Sequence, residues 1–203
     1  MMKMFLIGDS IRLGAHEEDG YGVILKRMLE GKAEVYYPDD NCRFAMYTLR
    51  YLNEWAKKVP CADEVDFVLW NNGLWDTLHL TGEEVDAPFT SYEDYLKQME
   101  RVYKRIKYIF PNAKIAFVSS TNVIEDMAPP ESSRDNTEIQ KYNRGMKALT
   151  EKWGIDYIDL YPVAEKISVD LRTDWVHYKR EGSQIFAEEI YRCLTKDLGV
   201  LSV

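Results

Sequence analysis

Cysteine is scarce in this chain of 203 residues, and its placement excludes two common scaffolds. Cys42, Cys61 and Cys193 are odd in number, far apart and without CxxC spacing, so neither a disulfide framework nor a cysteine-ligated zinc site is suggested, and a reducing cytosol is the expected compartment. Long apolar runs are also missing. The opening "MMKMFLIGDS" has too short an apolar stretch for a signal-peptide core, and nothing approaches membrane-spanning length, so neither export nor a membrane partner is expected. Positive charge is in deficit: Lys and Arg total 26 against 34 for Asp and Glu, a formal charge of −8. A phosphate backbone would be repelled, and the densest basic stretch, "RVYKRIK" at 101–107, reads as the wet face of a helix, so nucleic acid is excluded as a partner. Histidine is nearly absent too, with only His16, His79 and His177 to do proton chemistry near neutral pH.

What is present is apolar pattern. With 46% hydrophobic residues, the chain can bury one core, and 1–203 is expected to form one domain. Short apolar runs at 4–7, 33–37, 65–70, 114–119 and 156–160 alternate with helical spacing, as in a parallel sheet with crossover helices. The clearest helix covers 92–110, where Tyr95, Leu96, Met99, Val102, Tyr103 and Ile106 keep one stripe behind the capping pair Ser91 and Asp94. Others cover roughly 137–153 and 182–195. The stretch 122–136, "NVIEDMAPPESSRDN", is too polar and too broken by Pro129 and Pro130 to form an element, and is expected to be a loop shaping the pocket. The fold class is therefore α/β: a three-layer α/β/α sandwich around a five-stranded, mainly parallel sheet.

Ligands of such sheets bind outside the carboxyl ends of the strands, so chemistry is sought just after each strand. Ser10 stands where the first strand turns toward a helix. Alone it reads as a cap or turn residue. The stretch "TDWVH" changes that reading, because Asp174 three residues before His177 can hold one imidazole nitrogen while the other faces a serine. His16, beside Glu17, Glu18 and Asp19, reads as part of a solvated helix start. His79, between leucines, either packs or lines a substrate pocket. Arg12 and Arg43 fall near the rim, where a guanidinium could hold an anionic substituent. Trp70, Trp75 and Trp175 could stack on a sugar or simply pack.

The chain resembles the SGNH hydrolases, the GDSL-type esterases and lipases. "GDSI" (8–11) resembles the nucleophile block, "TDWVH" (173–177) the DxxH block, and "NTEIQKYNRGMKALTEKWGIDYIDLY" (136–161) the helix and strand before it. The resemblance implies a flavodoxin-like fold, Ser10 as nucleophile, His177 as general base, Asp174 as its orienting acid, and neither metal nor cofactor. Two blocks are altered. The second normally supplies a glycine amide to the oxyanion hole, but "PDDNCRFAMYT" (38–48) has no glycine, so an amide within Asn41 to Ala45, around Arg43, is expected beside that of Ser10. The third normally reads GxND, but "NNGLWD" (71–76) has Trp75 where the asparagine stands. Strand alternation nominates Asn71 over Asn72 as the replacement donor. The expected function is hydrolysis of a carboxylic ester, acetyl esters included, of a small molecule or sugar. An acyltransferase with the same triad and a non-catalytic small-molecule-binding module are the alternatives, and oligomeric state is not legible.

Overall fold

The computed structural model describes residues 1–200 apart from 84 and 198. Five parallel strands form the central sheet: β1 (Met2–Ile7), β4 (Ala33–Tyr36), β5 (Phe67–Trp70), β7 (Lys114–Val118) and β9 (Asp156–Ile158), in the order β4-β1-β5-β7-β9. This is the flavodoxin-like arrangement, in which strand order reverses beside the first strand and leaves a crevice there. All five runs read from the sequence are these strands. Two small antiparallel pairs are added, β2 (Gly14–Ala15) with β3 (Glu18–Asp19), and β6 (His79–Leu80) with β8 (Ser132–Ser133). The segment 122–136, expected to be wholly irregular, thus contributes β8 and a 3₁₀ turn at Glu125–Met127.

Side-chain alternation splits the core into two layers. From β1, Met4 and Leu6 face one side, where α2 (Tyr21–Met28) packs on α7 (Arg180–Arg192). Phe5 and Ile7 face the other, against α3 (Ala45–Ala56) and α4 (Tyr92–Ile109). Ser91 caps α4 as its spacing predicts, its hydroxyl accepting the Asp94 N–H at 3.2 Å. Asp135 caps α5 (Asn136–Trp153), and Gly154 closes it in the left-handed conformation. Two short helices, α1 (Ser10–Leu13) and α6 (Tyr161–Ala164), follow β1 and β9. Among the described residues no helix is long and apolar enough to cross a membrane.

Candidate active site

Ser10 is the first residue of α1, directly after the carboxyl end of β1. Asp9 caps that turn: its Oδ1 accepts the Ile11 N–H at 3.0 Å. The Ser10 N–H, one of the helix-start amides without an intrahelical acceptor, keeps no acceptor among the described residues. Asp9 is wholly buried, and burial pushes its carboxyl upward against the opposing pull of the Ile11 amide and the charges of His177, Arg134 and Arg12.

His177 arrives from the other end of the chain on a tight excursion between β9 and α7. An isolated bridge between Arg172 and Tyr178 closes it, with the Thr173 N–H donating to the His177 carbonyl at 3.1 Å. The Arg172 guanidinium fastens its base to the Asn122 carbonyl at 3.2 Å and to Asn122 Oδ1 at 2.5 Å. Inside it, Asp174 Oδ1 accepts the N–H groups of Val176 and His177, both at 2.7 Å. Asp174 Oδ2 lies 2.7 Å from His177 Nδ1, and His177 Nε2 lies 2.8 Å from Ser10 Oγ. The three residues singled out in "GDSI" and "TDWVH" are thus in continuous hydrogen-bond contact across 167 residues of sequence. Burial alone would raise the Asp174 carboxyl, yet the His177 ring and the two backbone amides hold it well below the usual carboxylate range. A carboxylate so held stays ionised and can steady an imidazolium.

The other nominated residues divide. Asn71 lies beside the nucleophile turn: its Oδ1 accepts the Asp9 N–H at 3.3 Å and its Nδ2 donates to the Val118 carbonyl at 3.2 Å, leaving one amide hydrogen. Asn72 points to the opposite layer, where its Oδ1 accepts the Trp70 indole N–H at 2.7 Å and its Nδ2 donates to the Arg43 carbonyl and to Thr48 Oγ1. Alternation therefore separates the pair as expected. The Arg43 amide, expected at the oxyanion, is already engaged, donating to Asn41 Oδ1 at 2.9 Å. Arg43 does hold a left-handed backbone, φ 47°, but its exposed guanidinium lies over Tyr47. The neighbouring amides of Cys42 and Ala45 are also engaged, the first on the Gly8 carbonyl and the second on Asp76.

Arg12 is not at the rim. It is 0% exposed, and its guanidinium donates to the carbonyls of Pro38, Gly8 and Asp40, so it holds the chain after β4 and cannot meet a substrate. Space for it is made by glycine: a Cβ on Gly22 would stand 2.7 Å from Arg12 Cδ. His79 lines a surface pocket beside Ser133 and Arg134, where Asp86 holds its Nδ1 at 2.5 Å and Glu138 its Nε2 at 2.8 Å. These carboxylates raise its pKa against the lowering effect of burial. Trp75 is half-buried in the turn after β5, and no ring contact joins it to the triad among the described residues.

Three residues near the site escaped the sequence reading. His16 is not in a helix start but at the tip of the β2–β3 hairpin, where its Nε2 lies 2.6 Å from Asp174 Oδ2. Arg134, buried, donates from Nε to the Leu74 carbonyl at 2.6 Å, covers the Trp175 ring at 5.0 Å and feels the charges of Asp9 and Asp174. Burial pushes its pKa down to about 10. Asp76, closing "NNGLWD", is wholly buried and accepts the Ala45 N–H at the start of α3. Burial pushes its carboxyl up to about 7. Only Asp76 stood within a recognised block; nothing in the neighbourhood of His16 or Arg134 signals a site.

The family model for GDSL-like lipase/acylhydrolase matches residues 4–190. Similar relatives include a GDSL esterase/lipase of Oryza sativa subsp. japonica, 23% identical over 93% of this chain and 76% of that protein. Another is a GDSL esterase/lipase of Arabidopsis thaliana, 25% identical over 94% and 77%. Among solved structures, a lipase/acylhydrolase from Enterococcus faecalis superposes with a TM-score of 0.74 at 20% identity, covering 100% of this chain and 98% of that one. A catalytic mutant of an acetylxylan esterase from Geobacillus stearothermophilus gives 0.67 at 18%, covering 94% and 93%. The structural likenesses show the fold, and the family match runs from within β1 into α7: the chain belongs to the GDSL-like lipase/acylhydrolase family, the SGNH hydrolases.

Proposed function

We propose that this protein is a serine esterase that cleaves carboxylic esters carrying acetyl or similarly short acyl groups on a small molecule or sugar. The observation that carries the reading is the 2.8 Å approach of His177 Nε2 to Ser10 Oγ, with Asp174 on the far side of the ring. In this scheme His177 Nε2 takes the hydroxyl proton as Ser10 Oγ bonds to the ester carbonyl carbon. The resulting oxyanion receives the Ser10 N–H and the remaining Asn71 amide hydrogen. The imidazolium, steadied by ionised Asp174, returns its proton to the departing alkoxide, leaving an acyl group on Ser10. Water, deprotonated by the same nitrogen, then releases the acid and restores the hydroxyl.

The choice of a short acyl group and a sugar-like alcohol is supported by two acetylxylan esterases among the solved structures with this fold. The test is a panel of short aryl esters and acetylated sugars assayed with the wild type and with Ser10→Ala, host esterases being excluded. Saturable hydrolysis of the acetyl members, abolished in Ser10→Ala, is expected. Wild-type-like turnover by the mutant overturns the assignment of the nucleophile, and turnover confined to long-chain esters overturns the choice of acyl group.

A further inference from the structure

The hairpin that follows the nucleophile helix is unusual in its turn residues. Its β2 and β3 pair Ala15 with Glu18, leaving His16 and Glu17 as the two tip residues, at φ 54° and 67°. Two-residue turns of this kind are ordinarily filled by Asn and Gly, because a left-handed backbone costs a residue with a larger side chain about 1–2 kcal/mol. The chain holds the hairpin from both sides. Glu18 Oε2 accepts the Arg180 N–H at 2.9 Å, at the start of α7, and Asp19 pairs with Arg27 of α2 at 2.6 Å. The result is a second imidazole on the triad carboxylate: His16 Nε2 and His177 Nδ1 flank the same oxygen, Asp174 Oδ2, at 2.6 and 2.7 Å, with the rings edge to face at 5.5 Å. The esterase scheme uses only one of them.

We propose that His16 Nε2, Asp174 Oδ2 and His177 Nδ1 bind a zinc-class divalent cation, and that the metal inhibits the enzyme. Two imidazoles and a carboxylate form a donor set suited to zinc with an open fourth position, and the three ligand atoms lie within 4.8 Å of one another. Tetrahedral zinc spaces its ligands roughly 3.3 Å apart, so each nitrogen must back away from Oδ2 by roughly 0.6 Å. The side chain of His16 is 58% exposed at a hairpin tip and has room to do so, while Asp174 stays anchored through Oδ1. Zinc displaces the proton from His177 Nδ1, and the one ring proton then sits on Nε2, facing Ser10. A ring metallated at Nδ1 and protonated at Nε2 cannot take the hydroxyl proton, so turnover stops without loss of the fold.

Inhibition rests on the esterase reading, but binding does not, and the experiment separates them. Equilibrium dialysis with zinc, and the visible absorption of cobalt substituted for it, are measured on the wild type, Ser10→Ala, Cys61→Ser and His16→Asn. Asparagine is the chosen replacement because it tolerates the left-handed turn and is too short to reach the metal. One metal per chain is expected in the first three proteins, with a four-coordinate cobalt spectrum, and aryl acetate hydrolysis by the wild type should fall to background and recover with chelator. In His16→Asn, the affinity for zinc and the zinc sensitivity of whatever metal-free hydrolysis the variant shows should drop by more than about tenfold. The proposal is overturned if the wild type retains no zinc, if His16→Asn binds it as well as the wild type, or if Cys61→Ser abolishes binding and so moves the site to the exposed thiol.

Discussion

Removing the Arg12 side chain should damage stability, not substrate recognition. Its guanidinium is wholly buried and serves three carbonyls, Asp40 at 2.7 Å, Pro38 at 3.1 Å and Gly8 at 3.4 Å, while covering the Tyr37 ring at 5.4 Å. A hydrogen bond from a charged donor contributes about 1.5–3 kcal/mol, and desolvating the guanidinium offsets part of the sum. Arg12→Ala strips the guanidinium from the Pro38 and Asp40 carbonyls, while that of Gly8 keeps the Cys42 N–H, and opens a cavity between α1 and α2, a combination that costs about 3–5 kcal/mol. In a chain of this size each kcal/mol lowers Tm by about 2–4 °C, so a drop of roughly 10 °C or more is expected by circular dichroism. Arg12→Lys should recover only part of it, because an ammonium cannot fork to three acceptors. Steady-state kinetics well below the new Tm should show KM for neutral and anionic acetates moving together. A variant that keeps its Tm within about 2 °C while KM rises only for anionic esters would refute this reasoning and return Arg12 to the substrate.

Asn71→Ala should lower kcat by about 10²–10³ with little change in KM, the loss typical of one oxyanion donor. Asn72→Ala should instead cost stability, since it strands the Trp70 indole N–H and the Arg43 carbonyl; equal kinetic losses in the two would contradict the division. Asp76, pushed up to about 7, holds its proton more tightly folded than unfolded, so its contribution is complete below the unfolded value near 4 and is lost as pH rises through 7. Urea midpoints from pH 5 to 8 should therefore show the wild type losing about 2–3 kcal/mol relative to Asp76→Asn, and a gap that stays constant with pH would contradict it. Replacing 126–130 with a short glycine-serine linker should shift preference among acetylated sugars more than it changes turnover of a small aryl acetate, with equal losses counting against the idea.

The sheet was legible because its inner strands β1, β5 and β7 are short apolar runs largely buried on both faces, while the edge strands β4 and β9 are partly exposed; helix α4 was legible through its capping pair and apolar stripe, and α5 through its apolar spacing. α2 and α3 gave weaker signals, since Gly20 and Phe44 stand at their N-caps and offer no side-chain hydrogen bond. The triad could be read because each of its blocks is local: "GDSI" and "TDWVH" carry their own turns. What the sequence hid were contacts made by pairing over long range. His16 meets Asp174 across 158 residues through a turn without the usual Asn-Gly cue, and His79 meets Glu138 only where β6 pairs with β8. Arg12 looked like a surface charge because the glycines that admit it are unremarkable until the helices pack.

The central claim is that His177 activates Ser10 as a nucleophile. The most direct measurement is intact-protein and peptide mass spectrometry after brief exposure to a fluorophosphonate probe. One adduct per chain, located on Ser10, absent from Ser10→Ala and strongly slowed in His177→Ala, is the result the geometry predicts. No adduct on folded wild-type protein, or labelling of Ser10 at the same rate with and without the His177 imidazole, would contradict it.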